Sequence, residues 1–177
     1  DSPVAGLDYA GTVSTPAGST DAAGQFSHAP GETLRFSIGS LVLGSAPGAA
    51  VMTPLHITPG ATEPSDVRVH NKLILLQTLD ADGDLNNGIQ LTAAIKGVVS
   101  AHAASVNFEQ PPADIRAALT PMLTALNDAG VFTDTDPRPR TARPAAAALE
   151  HFARSTSVRH TVETSAGRVK GFEANAD

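Results

Sequence analysis

The sequence predicts an α+β protein: a small antiparallel β-sandwich, then a helical segment, then a C-terminal β-hairpin. Three observations carry this. Leu34, Phe36 and Ile38 alternate with Arg35 and Ser37, the period of a strand with one apolar face. From Val69 onward, apolar residues recur at helical spacing through Leu73 and Leu76. Near the end, two short β-prone runs around Val162 and Val169 flank Ser165-Ala166-Gly167, the pattern of a hairpin.

The first unit, residues 1–64, reads as β throughout. Upstream of the alternating strand, "VAGLDYAGTVST" supplies two more short β-prone runs, and "GSTDAAG" is a tight connection rich in residues that tolerate unusual backbone angles. Pro30-Gly31 and Gly39-Ser40 bracket the alternating strand as turns. Strands at this spacing suggest a small sandwich or sheet.

The second unit, residues 65–135, is helical. Ser65-Asp66 is a fitting N-cap for a helix over 66–79. A second helix covers about 113–129, with Ile115, Leu119, Met122 and Leu126 on one face, and Pro121 should kink or split it. Residues 136–157 contain "DPRPRTARP", an extended linker, after which Pro144 opens a short helix through Arg154. Residues 158–177 are the hairpin. A lone hairpin is marginally stable in water, so Val162, Val169 and Phe172 should pack against something else.

Composition narrows the function. The chain has 177 residues, 41% of them hydrophobic, enough for a sizeable core. Twelve basic against eighteen acidic side chains give a formal charge of -6, the wrong sign for tracking phosphates, and aromatics for stacking on bases stand at 4%. Nucleic acid is therefore set aside as a partner. The absence of cysteine excludes disulfides, thiolate nucleophiles and cysteine-based zinc sites. No apolar run reaches the roughly 18–20 residues of a membrane span. The chain starts at Asp1-Ser2-Pro3 without a methionine, which suits a processed, secreted or periplasmic protein, or a trimmed chain.

The stretch richest in chemistry is "LDADGDLNNGI" at 79–89. Asp80, Asp82 and Asp84 alternate and Asn86 follows, a spacing that can turn several oxygens toward a hard cation, and calcium is the ion expected. The loop is not a complete EF-hand: counting from Asp80, Leu91 stands where the bidentate glutamate belongs. The competing reading is a helix end running into an Asx-rich turn, in which the same oxygens accept from backbone N–H groups. The histidines show no His-x-x-x-His pairing, so His56 and His70 read as ordinary side chains rather than zinc ligands. No Gly-x-Ser-x-Gly elbow occurs, and no catalytic serine, acid or histidine is assigned.

Two stretches resemble known families. "GSTDAAGQFSHAPGETLRFSIGSLVLGSA", with the downstream "NKLILLQTLDADGDLNNGI", resembles a bacterial extracellular module of the regulatory-domain type, similar to a transthyretin-like β-sandwich, over roughly 4–91. The closing "VETSAGRVKG" at 162–171 resembles the first hairpin of type B carboxylesterases, which are α/β-hydrolases. That resemblance implies a secreted ester hydrolase whose catalytic serine, acid and histidine lie outside these residues. It also implies a second polypeptide carrying the catalytic domain, cleaved from this chain but still bound to it. The alternative is a free-standing, calcium-dependent extracellular binding or adhesion module.

Overall fold

The computed structural model describes residues 2–134 and 138–166, with side chains through Thr156. The chain is α+β, as expected. Strands β1 (Val4–Ala5), β2 (Asp8–Gly11), β3 (Gly18–Ser19), β4 (Thr33–Ile38) and β5 (Leu41–Pro47) come first. Helix α1 (Val67–Thr78), strand β6 (Ile89–Gln90) and helices α2 (Ala93–His102), α3 (Pro112–Ala118), α4 (Thr120–Asp128) and α5 (Ala145–Ala166) follow.

A four-stranded antiparallel sheet in the order β3-β2-β4-β5 forms the β layer. The alternation in β4 holds: Leu34, Phe36 and Ile38 are buried while Arg35 is exposed. Gly39-Ser40 joins β4 to β5 in a two-residue turn. Gly39 sits at φ 57° in its first central position, where a side chain would strain the backbone and a Cβ would lie 2.0 Å from Ser100 Oγ on α2. Behind the sheet, the Glu32 carboxylate accepts from the backbone N–H groups of Val13, Ser14 and Thr15 at 2.5, 2.7 and 2.9 Å, and from the hydroxyls of Ser14 and Thr15. These bonds, the Thr15 hydroxyl foremost, hold its carboxyl down at about 2.

The expected sandwich needs a second antiparallel sheet, and none occurs among the described residues. Helices take its place: the apolar face of β4 and β5 joins one core with Val69, Leu73 and Leu76 of α1 and Ile95 and Val99 of α2. The remaining strands, β1 and β6, form a separate two-stranded parallel pair with Val4 opposite Ile89.

Asp66 caps α1 by accepting from Arg68 N at 2.9 Å, as its sequence position implies. Proline divides the second helical stretch. Pro121 has no N–H to continue the ladder, so α3 ends and α4 begins around Leu119, while Ile115, Leu119, Met122 and Leu126 stay buried. Helix α2 was not marked by apolar periodicity because only Ile95 and Val99 face inward; Thr92 caps it by accepting from Ile95 N.

The Pro/Arg stretch is extended, but its described part does not hang free. Ala142 is buried, Arg140 donates to Thr78 O and Asp80 O, and Arg143 N donates to Thr78 Oγ1. Helix α5 then packs on α1 through Ala148 and Phe152. It does not stop near Arg154 but runs to Ala166, across Val162, where the first strand of the hairpin was expected. Val169, Gly171 and Phe172 lie outside the described residues. Among the described residues, no helix is long and apolar enough to cross a membrane.

Leu73 of α1 sits at 0% exposure in the core. Leu73→Ala is expected to lower unfolding free energy by about 2–5 kcal/mol, because the surrounding side chains cannot collapse into the void. Equilibrium urea denaturation checks this; a loss under about 1 kcal/mol would show that the site repacks freely.

Candidate functional site

The acidic loop leaves the C-terminus of α1, where the Leu79 N–H closes the helix on Leu75 O and Leu76 O. Two buried side chains, Leu85 and Ile89, fasten the loop to the core. Its far end is stitched to β1: Ile89 N donates to Pro3 O at 2.8 Å and Leu91 N to Ala5 O at 2.9 Å. That approach requires glycine at position 6, where φ is 78° and a Cβ would stand 2.2 Å from Leu91 O.

The four expected ligands divide into two pairs. Asp84 and Asn86 are exposed and satisfy each other, Asn86 donating to Asp84 Oδ1 from its backbone at 3.1 Å and from its amide at 2.8 Å. They form the Asx turn of the competing reading. Asp80 and Asp82 are instead joined through Gln90, whose N–H donates to Asp80 and whose amide donates to Asp82. Asp80 is at 0% exposure; its Oδ1 accepts from Gln90 N at 2.9 Å, and its Oδ2 is buried with no hydrogen-bond partner. Asp82 Oδ1 accepts from Asp84 N at 3.0 Å, and its Oδ2 accepts from the amides of Asn87 at 2.8 Å and Gln90 at 3.1 Å.

Burial pushes the Asp80 carboxyl up to about 6, and the neighbouring Asp82 charge adds to this against the Gln90 N–H and the Arg140 guanidinium. Asp82 is held below the ordinary carboxylate value, first by the Asp84 N–H and then by the Asn87 amide. Among the described residues, no three histidines, aspartates or glutamates gather as a metal-holding group. Asn87 and Gln90, which the Asp-x-Asp-x-Asp spacing did not single out, stand where the ligand pair needs help. Gln90 reaches back to Asp82 only because β6 pairs with β1, a contact 85 positions away in sequence between Val4 and Ile89.

Two further groups have the ingredients of catalysis. Ser2 Oγ lies 2.8 Å from His151 Nε2, yet its hydroxyl donates to Leu85 O at 2.7 Å, so Nε2 must carry the hydrogen and cannot accept the serine proton. Lys72 is buried with Nζ 2.6 Å from Thr58 Oγ1 and 5.7 Å from the Phe108 ring centroid. Its burial, with Arg68 nearby, lowers its pKa to about 8. A lowered amine pKa suits a nucleophile. Here the ammonium is enclosed by its own fold, and its contacts join α1 to the segment at 57–58. His56 and His70 also stay apart: His56 Nδ1 meets Thr53, and His70 Nε2 donates to Ala145 O at 2.8 Å.

No protein-family model matches the chain, and no curated protein or solved structure matches it.

Lys72 generates a pH prediction. The folded state releases its proton near 8, while the unfolded chain holds it to about the ordinary 10.5. Between these values the unfolded state binds more protons, so stability should rise with pH. Urea midpoints from pH 8 to 10.5 should climb in the parent and stay flat in Lys72→Met. A flat parent profile would mean the amine titrates normally.

Proposed function

We propose that the chain is a non-catalytic accessory module of an exported ester hydrolase, working with a second polypeptide that carries the catalytic α/β-hydrolase domain. The carrying observation is the anchoring of α5. Its first turns are fixed to the body by buried Ala148 and Phe152, by Gln77 donating to Ala148 O at 3.0 Å, and by His70 donating to Ala145 O. The module therefore holds the base of the helix that leads into the Val162-to-Gly171 stretch, which resembles the opening hairpin of type B carboxylesterases. On this reading, residues 162–166 exchange helix for strand when the hydrolase sheet offers them an edge to pair with. The module supplies attachment and stability, and the partner supplies nucleophile, base and oxyanion hole.

Purifying the chain from its producing cells, followed by intact-mass analysis, should recover a second polypeptide, and the complex should hydrolyse a short-chain aryl ester. Isolated residues 1–177 should hydrolyse none above buffer. Recovery of the chain alone, or turnover by 1–177 that vanishes when one of its serines is replaced, would refute the proposal.

A free-standing extracellular binding or adhesion module is the second reading. The specific observation favouring it is that, among the described residues, α5 occupies 162–166 as helix rather than as the first strand of a hairpin.

A further inference from the structure

We propose that Asp80 and Asp82 hold one calcium ion, with the side-chain carbonyls of Asn87 and Gln90 completing the protein's share of its ligands. The reasoning begins with the orphaned oxygen. Asp80 Oδ2 is fully enclosed and has no hydrogen-bond partner, and Gln90 ties its carboxylate to a second one, with its N–H on Asp80 Oδ1 and its amide on Asp82 Oδ2. Two carboxylates cannot satisfy each other without a proton or a cation between them, and a buried acceptor left unmade is costly.

The surroundings favour a hard cation. Asp80, Asp82, Asp84 and Asp134 bring four carboxylates to the neighbourhood, against the Arg140 guanidinium, which lies 3.2 Å from Asp134. That guanidinium donates from Nη1 to the Thr78 and Asp80 carbonyls and lies 4.2 Å from the Phe132 ring centroid, while Nη2 is buried with no hydrogen bond beyond its ion pair with Asp134. Asp82 Oδ2 is met by two primary amides, from Asn87 and Gln90. A half-turn about the last side-chain bond of each replaces an N–H donor with a carbonyl oxygen, which a cation demands. Calcium takes six to eight oxygens in irregular geometry from carboxylates, amide carbonyls and water, whereas magnesium requires a near-ideal octahedron and keeps most of its water. Two carboxylates and two neutral amides fit the former. Asp84 and Asn86, paired with each other, take no part.

Calcium binding stands or falls independently of a hydrolase partner. The test is calorimetric titration of calcium into the chelator-treated full chain at fixed ionic strength, with amide NMR spectra to locate the effect. One ion per chain should bind, melting temperature should rise saturably as a ligand of the native state requires, and shifts should centre on residues 80–91. Asp82→Asn, at a partly exposed position that leaves the core untouched, should weaken calcium affinity at least about tenfold. Asp84→Asn should leave it unchanged. Absence of saturable binding, an equal response in Asp82→Asn, or equal stabilisation by magnesium would overturn the site.

Discussion

Helix α1 is buried at ten consecutive positions, Val69 through Thr78, and five of those side chains are polar or charged. A buried polar side chain on such a helix needs partners from the rest of the protein, since an unmet buried donor or acceptor costs more than a made one contributes. Each of the five hydrogen-bonds to a segment outside α1, and of their side-chain atoms Asn71 Oδ1 is left without a partner. His70 and Gln77 donate to the start of α5, Asn71 donates to Phe108 O and Gln110 O, Lys72 to Thr58 Oγ1, and Thr78 accepts from Arg143 N. Loops that would otherwise be free are held against α1 by these bonds, which is why the long stretches 48–66 and 103–111 pack although they contain little regular structure.

The same constraint shapes both ends of the helix. At its N-terminus Asp66 accepts from Arg68 N and pairs with the Arg68 guanidinium at 2.7 Å, which suits the positive end of the helix dipole. At its C-terminus the carbonyls past the helical ladder meet a cation: Arg140 reaches Thr78 O and Asp80 O. The arginine brings its own segment with it, so the Pro/Arg stretch becomes a strap across the helix end. Asp80 is tied to this strap through its carbonyl and to β6 through its carboxyl, which accepts from Gln90 N, and its side chain is buried.

The sheet contributes a second anchoring device. Glu32 collects three backbone N–H groups and two hydroxyls from the loop at 12–15, doing for that loop what α1 does for the others. The outcome at the surface is an exposed Val13, 90% accessible, on a loop whose N–H groups from Thr12 to Thr15 are all bonded. Charge links the two layers as well. Asp8 on β2 pairs with Lys96 on α2 at 2.6 Å and accepts from Gly39 N, so the hairpin turn, the strand and the helix share one carboxylate.

Local chemistry alone determined much of this protein. The alternation from Leu34 to Ile38, the Asp66 cap, the apolar face from Ile115 to Leu126 and the break at Pro121 are all nearest-neighbour effects, and each is legible without a fold. What the sequence could not convey depends on contacts between distant residues. The sheet's partner layer turned out to be helices, because strand periodicity reports that one face is apolar and not what covers it. Helix α5 continues through Val162, where the turn-like Ser-Ala-Gly run had suggested a strand, since short apolar runs fit either period. In the acidic loop, spacing identified the carboxylates but not their grouping. Only the pairing of β6 with β1 decides that Gln90 joins Asp80 to Asp82, with Asn87 beside them, while Asp84 and Asn86 turn to solvent. A carboxylate's environment is set by whatever the chain folds over it, and no local pattern records that.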